Sequence, residues 1–325
     1  MTLNDYPGSE CSMSEVYKIS KDEVHAHYEE FSKYDVSFWH FPMMNDVVRN
    51  AAFEKALARA IRGGAKTVLD IGSGSGLLAM MAARLGAERV YTVEENPKIA
   101  KKALEIIKLN GFSDRITLIN KASTHITVGK ELPEPADVLV AEVFDDGLLG
   151  ERALETIAHA KDKLLKVGAH LIPEKARVFA LALESQEIYE NFRVEKASGF
   201  DLGPFNSFGP DGFIGHHLDK MNYRPLTSVI PVFDFDFKQI MFNSTNPIRV
   251  EVLANGTCHA IAYWFELGLD SETTVSTSPG LKRLSCWRQA VQVLDRGLQV
   301  KEGETLSVTA NHNAESIWFS DCKSE

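Results

Sequence analysis

Two glutamates stand nine positions apart in the stretch EVFDDGLLGE, where Glu142 ends an apolar run and Glu151 opens a stretch of helical character. A carboxylate oxygen pair matches the planar fork of donors on a guanidinium, which stays charged at neutral pH. Two such carboxylates would hold a guanidinium between them and leave one terminal nitrogen richer in electrons, so that positioning supplies most of the catalysis. A simpler explanation is that Glu151 only stabilises a helix start, with Asp145, Asp146 and Gly147 forming an ordinary turn.

A second group of residues follows the pattern D-x-G-x-G-x-G, which runs from Asp70 through Gly72 and Gly74 to Gly76 and leads into a helix at Leu77. Glycine lets the backbone turn sharply and approach a ligand closely. In an open parallel sheet, such a loop holds its ligand at the carboxyl ends of the strands. Asp70 precedes the first glycine, which suits the cationic amino-acid end of a ligand. The pattern therefore predicts a cofactor loop.

The next apolar run, RVYTVE, ends on Glu94, with Glu95 beside it. An acidic residue at this place binds the two hydroxyls of a ribose. Such a site fits S-adenosylmethionine or a dinucleotide, because the glycine loop also satisfies G-x-G-x-x-A. The position of Asp70 and the apolar helix LLAMM favour S-adenosylmethionine.

The elements that must position these residues alternate between apolar runs and helical stretches, which predicts an α/β fold with a parallel sheet. The predicted strands span 66–71, 89–94, 116–120 and 136–142, and the helices that follow begin near Leu77, Pro97 and Arg152. Two earlier helices are predicted over 24–34 and 45–61, separated at Pro42.

The alternation stops at Pro173, and the remaining runs predict an antiparallel barrel or sandwich. These runs span 177–183, 228–235, 248–254, 260–267, 288–294 and 305–312. The stretch 199–224 is rich in Gly, Pro and Phe and is predicted to leave the sheet. The predicted division is N-terminal helices over 1–49, a cofactor domain over 50–173 and a β domain over 174–325.

Taken together, the glycine loop, the strand that ends on Glu94 and the spacing of Glu142 and Glu151 resemble the protein arginine methyltransferases over nearly the whole chain. The resemblance implies a Rossmann-like, S-adenosylmethionine-dependent domain joined through Pro173 to a β-barrel substrate domain. It also implies a homodimer formed by an arm over 199–224. The substrates would be arginine side chains in proteins such as histone tails or Arg/Gly-rich segments.

The resemblance also implies a role for each matching residue. Glu142 and Glu151 would be catalytic, binding and orienting the substrate guanidinium, while Arg49 would pair with the cofactor carboxylate. The residues implied to bind the cofactor are Met43, Arg49, Asp70, Gly72, Gly74, Gly76, Leu77, Glu94, Glu95, Ser123, Thr124 and Glu142. The residues implied to contact the substrate are Phe41, Cys286, Trp287 and Gln289.

Two departures from the family pattern bear on the product. Ser285-Cys286-Trp287 stands where the family has Thr-His-Trp, so a cysteine replaces the histidine that pairs with an aspartate matched here by Asp46. Residues 143–146, VFDD, replace the Trp-Met-Gly-Tyr run of dimethylating members. With INKAST and NHNAESIWFS, this is more similar to the monomethylating type III subclass. Acidic and bulky groups, with Phe41 or Met43 as walls, would leave too little room for a second methyl.

Composition restricts the partners of this 325-residue chain. A net charge of -10 argues against direct nucleic-acid binding, which depends on Lys and Arg neutralising phosphates.

The sequence has no membrane-spanning apolar run, and its first fifteen residues are polar and acidic, unlike a targeting peptide. Four scattered cysteines fit a reducing compartment, so we expect a cytoplasmic protein, with the nucleus as the alternative. The histidine pairs 25/27 and 216/217 lack a third ligand, so no metal is predicted.

Three alternatives stay open at this point. The chain could be a methyltransferase for a different acceptor, for which Glu142 would be dispensable. It could be a non-catalytic dimeric scaffold of the same family, which would keep the dimer while losing cofactor binding or leaving it idle. A nicotinamide enzyme is the most distant alternative and would bind a dinucleotide without competition from S-adenosylhomocysteine.

Overall fold

The computed structural model describes Val36 and residues 39–210, 212–281 and 286–325. The helix predicted over 24–34 lies outside these residues, as does Ser285. The segment Trp39–Glu325 forms one compact unit. Every helix in the described part of the chain is too short or too polar to cross a lipid bilayer.

The first half of this unit is built on a five-stranded parallel sheet with the strand order β3-β2-β1-β4-β5. Its strands are β1 (Thr67–Ile71), β2 (Arg89–Val93), β3 (Ile116–Ile119), β4 (Ala136–Ala141) and β5 (Leu165–Ile172). The helices of this half are α1 (His40–Asn45), α2 (Val47–Arg62), α3 (Leu77–Arg84), α4 (Pro97–Leu109) and α5 (Ala153–Lys163). All five residues of β1 are buried, as expected for a central strand covered on both faces.

The register of the central strands brings three loops to one edge of the sheet. Ile71, the last residue of β1, pairs with Val93 of β2 and with Ala141 of β4 in parallel alignment. The residues that follow these three strands therefore leave the sheet at the same edge. The glycine loop and Glu142 are two of those continuations. The predicted Rossmann-like arrangement is confirmed.

Asp46 marks the break between α1 and α2. Its Oδ1 accepts a hydrogen bond of 3.0 Å from the backbone N–H of Arg49, which satisfies one of the unpaired donors at the start of α2. The break predicted at Pro42 is wrong. Pro42 lies in the first turn of α1, where its lack of an N–H removes no helical hydrogen bond.

The second half forms two antiparallel sheets, and the predicted β-barrel domain is confirmed. The larger sheet has the order β10 (Arg224–Pro225), β6, β13, β15 and β9 (Ile214–His216), with β11 beside β6 and β14 beside β13. The smaller sheet has the order β12-β16-β17. Contacts between β15 and β17 and between β11 and β12 join the two sheets. The main strands are β6 (Lys175–Glu184), β11 (Ile230–Asp236), β12 (Ser244–Glu251), β13 (Gly256–Gly268), β14 (Thr274–Ser276), β15 (Gln289–Val300), β16 (Thr305–His312) and β17 (Ile317–Ser324).

An arm interrupts the barrel after helix α6 (Gln186–Phe192). It contains a short hairpin and two 3-10 turns. Its elements are β7 (Lys196–Ala197), β8 (Phe200–Asp201), the turn Gly203–Phe208, β9 (Ile214–His216), the turn Leu218–Lys220 and β10 (Arg224–Pro225). The prediction that all of 199–224 leaves the sheet is wrong for its second half, because β9 pairs with β15 and β10 pairs with β6.

Two of the longer strands, β5 and β17, are not predicted by the sequence patterns. β5 begins with five residues that are mostly exposed, so its apolar signal is confined to Leu171 and Ile172. It forms a strand because β4 supplies its partner, with Leu139 opposite Leu171. β17 completes the smaller sheet against β16 at the end of the chain. In both cases a neighbouring strand decides the structure more than the local sequence does.

Candidate functional site

Glu142 follows β4 directly and forms an ion pair with Arg49 of α2. Both residues are buried, at 9% and 3% exposure. The Arg49 guanidinium also lies 5.4 Å from the ring centre of Phe53 and 5.6 Å from that of Trp287. The carboxylate at the end of β4 is therefore already bound to a guanidinium, within an apolar surrounding that strengthens the interaction.

Glu151 stands at the other end of the loop, one position before Arg152. Arg152 has a left-handed conformation (φ 59°) and precedes α5, so Glu151 lies outside the first turn of that helix. The residue is exposed, although neighbouring protein atoms partly desolvate its carboxyl group. This desolvation, together with the charges of Glu142 and Asp145, raises the pKa of Glu151 to about 7.

The glycine loop lies directly against the end of β4. Gly72 has a φ of 87°, and a Cβ there would be 3.0 Å from the carbonyl oxygen of Glu142 and 3.1 Å from Cγ1 of Val143. The backbone N–H groups of Gly72 and Ser73 each donate to the carbonyl of Val93 at 3.0 Å. Glycine is required at position 72 because both the conformation and the close approach exclude a side chain.

The carboxylate of Glu94 fixes the loop from the neighbouring strand. Its Oε2 accepts from the N–H of Gly74 at 3.1 Å, and its Oε1 accepts from the N–H of Asn96 at 3.0 Å. Each oxygen keeps a second lone pair that can accept from a ligand hydroxyl. Glu95 is exposed beside it. The predicted ribose acceptor is thus held in place by the backbone on either side.

Asp70 is fully buried beneath this loop. Its Oδ2 accepts from the hydroxyl of Thr92 at 2.6 Å, whereas its Oδ1 has no hydrogen-bond partner. Burial raises the pKa of Asp70 to about 7, with smaller contributions from Glu94 and Glu142. The Nε of Arg49 is a second buried polar atom without a partner. A buried polar group without a partner is unfavourable, so these two atoms mark places where a ligand could supply one.

The other residues predicted to bind the cofactor surround this edge of the sheet. Met43 of α1 lies over the loop, with its methyl group 4.0 Å from the position of a Cβ on Gly74. Ser123 is buried and Thr124 half-buried in a short 3-10 turn after β3. Leu77 is half-buried at the start of α3. Their contacts with a cofactor stay predictions.

Asn120 is a contributor that the motifs did not single out. Its side-chain amide donates to the carbonyl of Glu94 at 2.7 Å and to that of Glu95 at 3.1 Å. This ties the end of β3 to the end of β2 and thereby places the turn that carries Ser123. Its position as the last residue of the run ITLIN was the available signal.

The loop that contains Cys286 reaches the site from the barrel. The backbone N–H of Cys286 donates to Oδ2 of Asp46 at 3.1 Å. The link to Asp46, which the replacement of histidine by cysteine put in question, is therefore present, with the backbone N–H of Cys286 as the donor. Desolvation raises the pKa of Cys286 to about 12, so the group is a neutral thiol at working pH.

Trp287 and Gln289 are both buried, and the structure gives them different partners. The indole Nε1 of Trp287 donates to the carbonyl of Phe144 at 2.7 Å. The amide of Gln289 donates to the carbonyl of Thr277 at 2.7 Å and accepts from the N–H of Leu218 at 2.9 Å. Gln289 is thus engaged in holding the barrel, and its contact with substrate stays a prediction.

Phe41 lies at the outer side of α1 and is 59% exposed.

No cluster of three or more metal-ligating side chains occurs among the residues that the structure describes. His216 and His217 lie on and next to β9, where burial lowers the pKa of each.

We expect Cys286 to react slowly with thiol reagents. Treatment with iodoacetamide at pH 8, followed by peptide mass spectrometry, should modify Cys322 faster than Cys286. Both residues are partly exposed, but the pKa of Cys322 is lowered by a hydrogen bond from Cys258, whereas burial raises that of Cys286. Faster labelling of Cys286 would show that its thiol is ionised in solution.

Comparison with known proteins finds methyltransferase families for both halves of the chain. Residues 54–177 match the family model described as ribosomal protein L11 methyltransferase, and residues 174–323 match the arginine methyltransferase oligomerization subdomain. The Trypanosoma brucei PRMT1 enzyme-prozyme heterotetrameric complex with AdoHcy has a similar solved structure, with a TM-score of 0.74 and 26% identity. The match covers 85% of this chain and 88% of that one.

Sequence relatives extend over most of the chain. Protein arginine N-methyltransferases 9 and 7 of Xenopus laevis are 31% and 30% identical over 89% and 94% of this chain. The chain covers only 39% and 48% of those two proteins, so it spans less than half of their length. The arginine N(omega)-methyltransferase of Streptomyces achromogenes is 41% identical over 86% of this chain and 78% of its own length. The chain therefore belongs to the arginine methyltransferase family.

Proposed function

We propose that this protein transfers a single methyl group from S-adenosylmethionine to a terminal nitrogen of an arginine guanidinium in protein substrates. The observation that carries the proposal is that the carboxylates of Glu142 and Glu151 lie at the same edge of the parallel sheet. Glu142 already binds a guanidinium, that of Arg49, and Glu151 lies across the loop with a carboxyl group that pairs with no cation among the residues that the structure describes. A second guanidinium between them would neutralise Glu151 and add a further hydrogen-bond donor to Glu142.

S-adenosylmethionine supplies an activated methyl on a positively charged sulfur when it is bound. The residues present fit it. Gly74 leaves room for close approach, Glu94 keeps free lone pairs for the ribose, and the partnerless atoms of Asp70 and Arg49 suit the amino and carboxylate groups of its amino-acid end. The Trypanosoma complex contains AdoHcy, the corresponding product.

The work of the chain itself is to bind and orient the acceptor. Glu142 and Glu151 each accept hydrogen bonds from the guanidinium and draw its positive charge toward themselves. The remaining terminal nitrogen then keeps more of its lone-pair density and can attack in line. Trp287 and Phe53, which flank Arg49, exclude water from one side of this pair.

Restriction to one methyl is supported by the groups that crowd the loop. Met43 lies over the glycine loop, and the half-buried carboxyl of Asp145 stands close enough to Glu151 to raise its pKa. Phe144 does not contribute a wall, since its ring stacks on Phe237 in the core at 5.9 Å. A methylated nitrogen needs more space in the attacking position, and these groups reduce it.

Free arginine is a second candidate substrate. The Streptomyces relative, 41% identical, is named for arginine, whereas the vertebrate relatives, near 30% identity, are named for protein arginine. The two carboxylates would bind either form of the side chain. The acidic balance of the chain, with a net charge of -10, favours a basic protein segment as the partner.

We further propose that the protein is a homodimer formed through the arm. Four apolar side chains of the arm are exposed, more than an isolated soluble surface segment needs. They are Phe200 at 70%, Leu202 at 41%, Phe205 at 67% and Phe208 at 78% exposure. The matched oligomerization subdomain includes this segment.

The product and the acceptor can be tested together. Enzyme in excess over substrate is incubated with S-adenosylmethionine and either a histone-tail peptide, an Arg-Gly repeat peptide or free L-arginine, and the products are measured by mass spectrometry. We expect one added methyl per arginine in the peptides. Transfer only to free arginine would replace protein by the amino acid as substrate. Two methyls on one arginine would overturn the monomethylating proposal.

Glu142→Gln should lower methyl transfer by at least about a hundredfold, the usual cost of removing a charged group that stabilises a transition state. Glu134→Gln is the matched control, because Glu134 pairs with Arg89 on the surface away from the site. Unchanged activity of Glu142→Gln would favour a different acceptor.

The raised pKa of Glu151 predicts the pH dependence of kcat/KM. Below about pH 7 the free enzyme holds a neutral Glu151 that cannot pair with a guanidinium, so kcat/KM should rise through about pH 7 and level off above it. Bound guanidinium favours the carboxylate, so kcat should stay high to lower pH. The step should persist in Asp70→Asn, since Asp70 has a similar pKa. A flat kcat/KM between pH 6 and 8 would contradict this assignment.

The dimer is tested by analytical ultracentrifugation. The 36.1 kDa chain should sediment as a dimer, and Phe205→Ser combined with Phe208→Ser should convert it to a monomer by removing apolar contacts. Leu109→Ser is the control, because Leu109 is 86% exposed at the end of α4, outside the arm. A monomeric wild-type protein would refute the proposed homodimer.

A further inference from the structure

Asp146, in the loop between the two glutamates, is bound by a residue of the barrel. Its Oδ1 accepts from the backbone N–H of Arg288 at 2.7 Å. Its Oδ2 accepts from Nε of Arg288 at 2.8 Å and lies 2.7 Å from Nη2. The Asp146 side chain is only 13% exposed, so the pair is shielded on the carboxylate side. One carboxylate thus holds both the backbone and the side chain of Arg288.

Two glycines make this contact sterically feasible. A Cβ on Gly215 of β9 would lie 2.2 Å from Oδ2 of Asp146 and 2.7 Å from Nε of Arg288. A Cβ on Gly147 would lie 2.3 Å from the ring of Phe213. Side chains at either position would push the loop away from the barrel.

The residue before Arg288 holds the same loop at a second point, since the indole of Trp287 donates to the carbonyl of Phe144. Two consecutive barrel residues therefore fix positions 144 and 146, midway between Glu142 and Glu151. The catalytic carboxylates repel one another, as the contribution of Glu142 to the raised pKa of Glu151 indicates. A loop without these anchors would relieve the repulsion by moving Glu151 outward.

We propose that the contact between Asp146 and Arg288 is a latch between the two domains. The latch holds the carboxylate of Glu151 at its position facing Glu142, which makes Asp146 a positioning residue for methyl transfer. This inference rests on the proposed function. The latch also occupies Asp146, so that a substrate guanidinium meets Glu142 and Glu151 and not the carboxylate of Asp146. Small displacements of catalytic groups can reduce rates by a hundredfold, so such a latch affects turnover more than binding.

The test compares Asp146→Asn, Arg288→Gln and the double variant. Both single variants should lower kcat by tenfold or more, and the double variant should be no worse than the more severe single one because each removes the same interaction. The Kd for S-adenosylhomocysteine should change less than twofold in all three. Arg288→Gln should bind the arginine peptide as tightly as wild type or more tightly, since it frees a carboxylate beside the site. Asp146→Asn frees none and should not gain affinity.

Asp137→Asn is the matched control. Asp137 also accepts two backbone hydrogen bonds, from Lys66 and Thr67 at 2.9 Å, and pairs with Lys166 at 2.7 Å, with a side-chain exposure of 22%. It lies near the start of β4, at the opposite end of that strand from Glu142. Its kcat should stay within twofold of wild type.

Hydrogen exchange provides a readout that does not depend on activity. The N–H groups of Leu148 and Gly150 are bonded to Asp145 within the loop, and exchange over residues 143–150 should accelerate in Asp146→Asn and Arg288→Gln but not in the control. Unchanged exchange and kcat within twofold in both variants would overturn the latch. If the wild-type protein methylates no arginine, the proposed function fails, while exchange still decides whether the latch exists.

Discussion

The structure depends on the parallel pairing of β1 with β4. Their aligned ends bring the backbone of Glu142 so close to Gly72 that no side chain fits at the glycine. The loop suited to a cofactor and the loop suited to a guanidinium therefore share one wall. Methyl transfer requires the donor and acceptor to meet in line, and this shared wall sets their separation before any ligand arrives.

The second constraint is electrostatic. Asp70, Glu94, Glu142 and Glu151 surround the same edge of the sheet, and the pKa values of Asp70 and Glu151 are both raised to about 7. Arg49 is the guanidinium that the structure places among them. A concentration of carboxylates with so little compensation is unfavourable for the protein alone, and it is relieved by cationic ligands, such as a sulfonium, an ammonium or a guanidinium.

The barrel contributes by restricting movement. Its strand β15 begins next to Trp287 and Arg288, which hold the acidic loop, while Cys286 hydrogen-bonds to Asp46 at the start of α2. Loops of this kind carry function when a rigid scaffold holds them. Here two domains supply the scaffold, so the site is complete only when both are folded against each other. Cys286 keeps the contact to the Asp46 carboxylate through its backbone N–H, while its thiol is neutral.

The sequence by itself determined where the first four parallel strands lie along the chain, the cofactor loop and the two glutamates, because these depend on local signals: glycines where the backbone must turn, carboxylates at strand ends and regular apolar spacing. Only the tertiary structure decided that β5 and β17 are strands, that 214–216 returns to the sheet, and that Asp146 binds Arg288. Each of these depends on a partner distant in sequence. An edge strand or an exposed carboxylate has no local pattern that specifies which group it will meet, so the packing of the whole chain supplies that information.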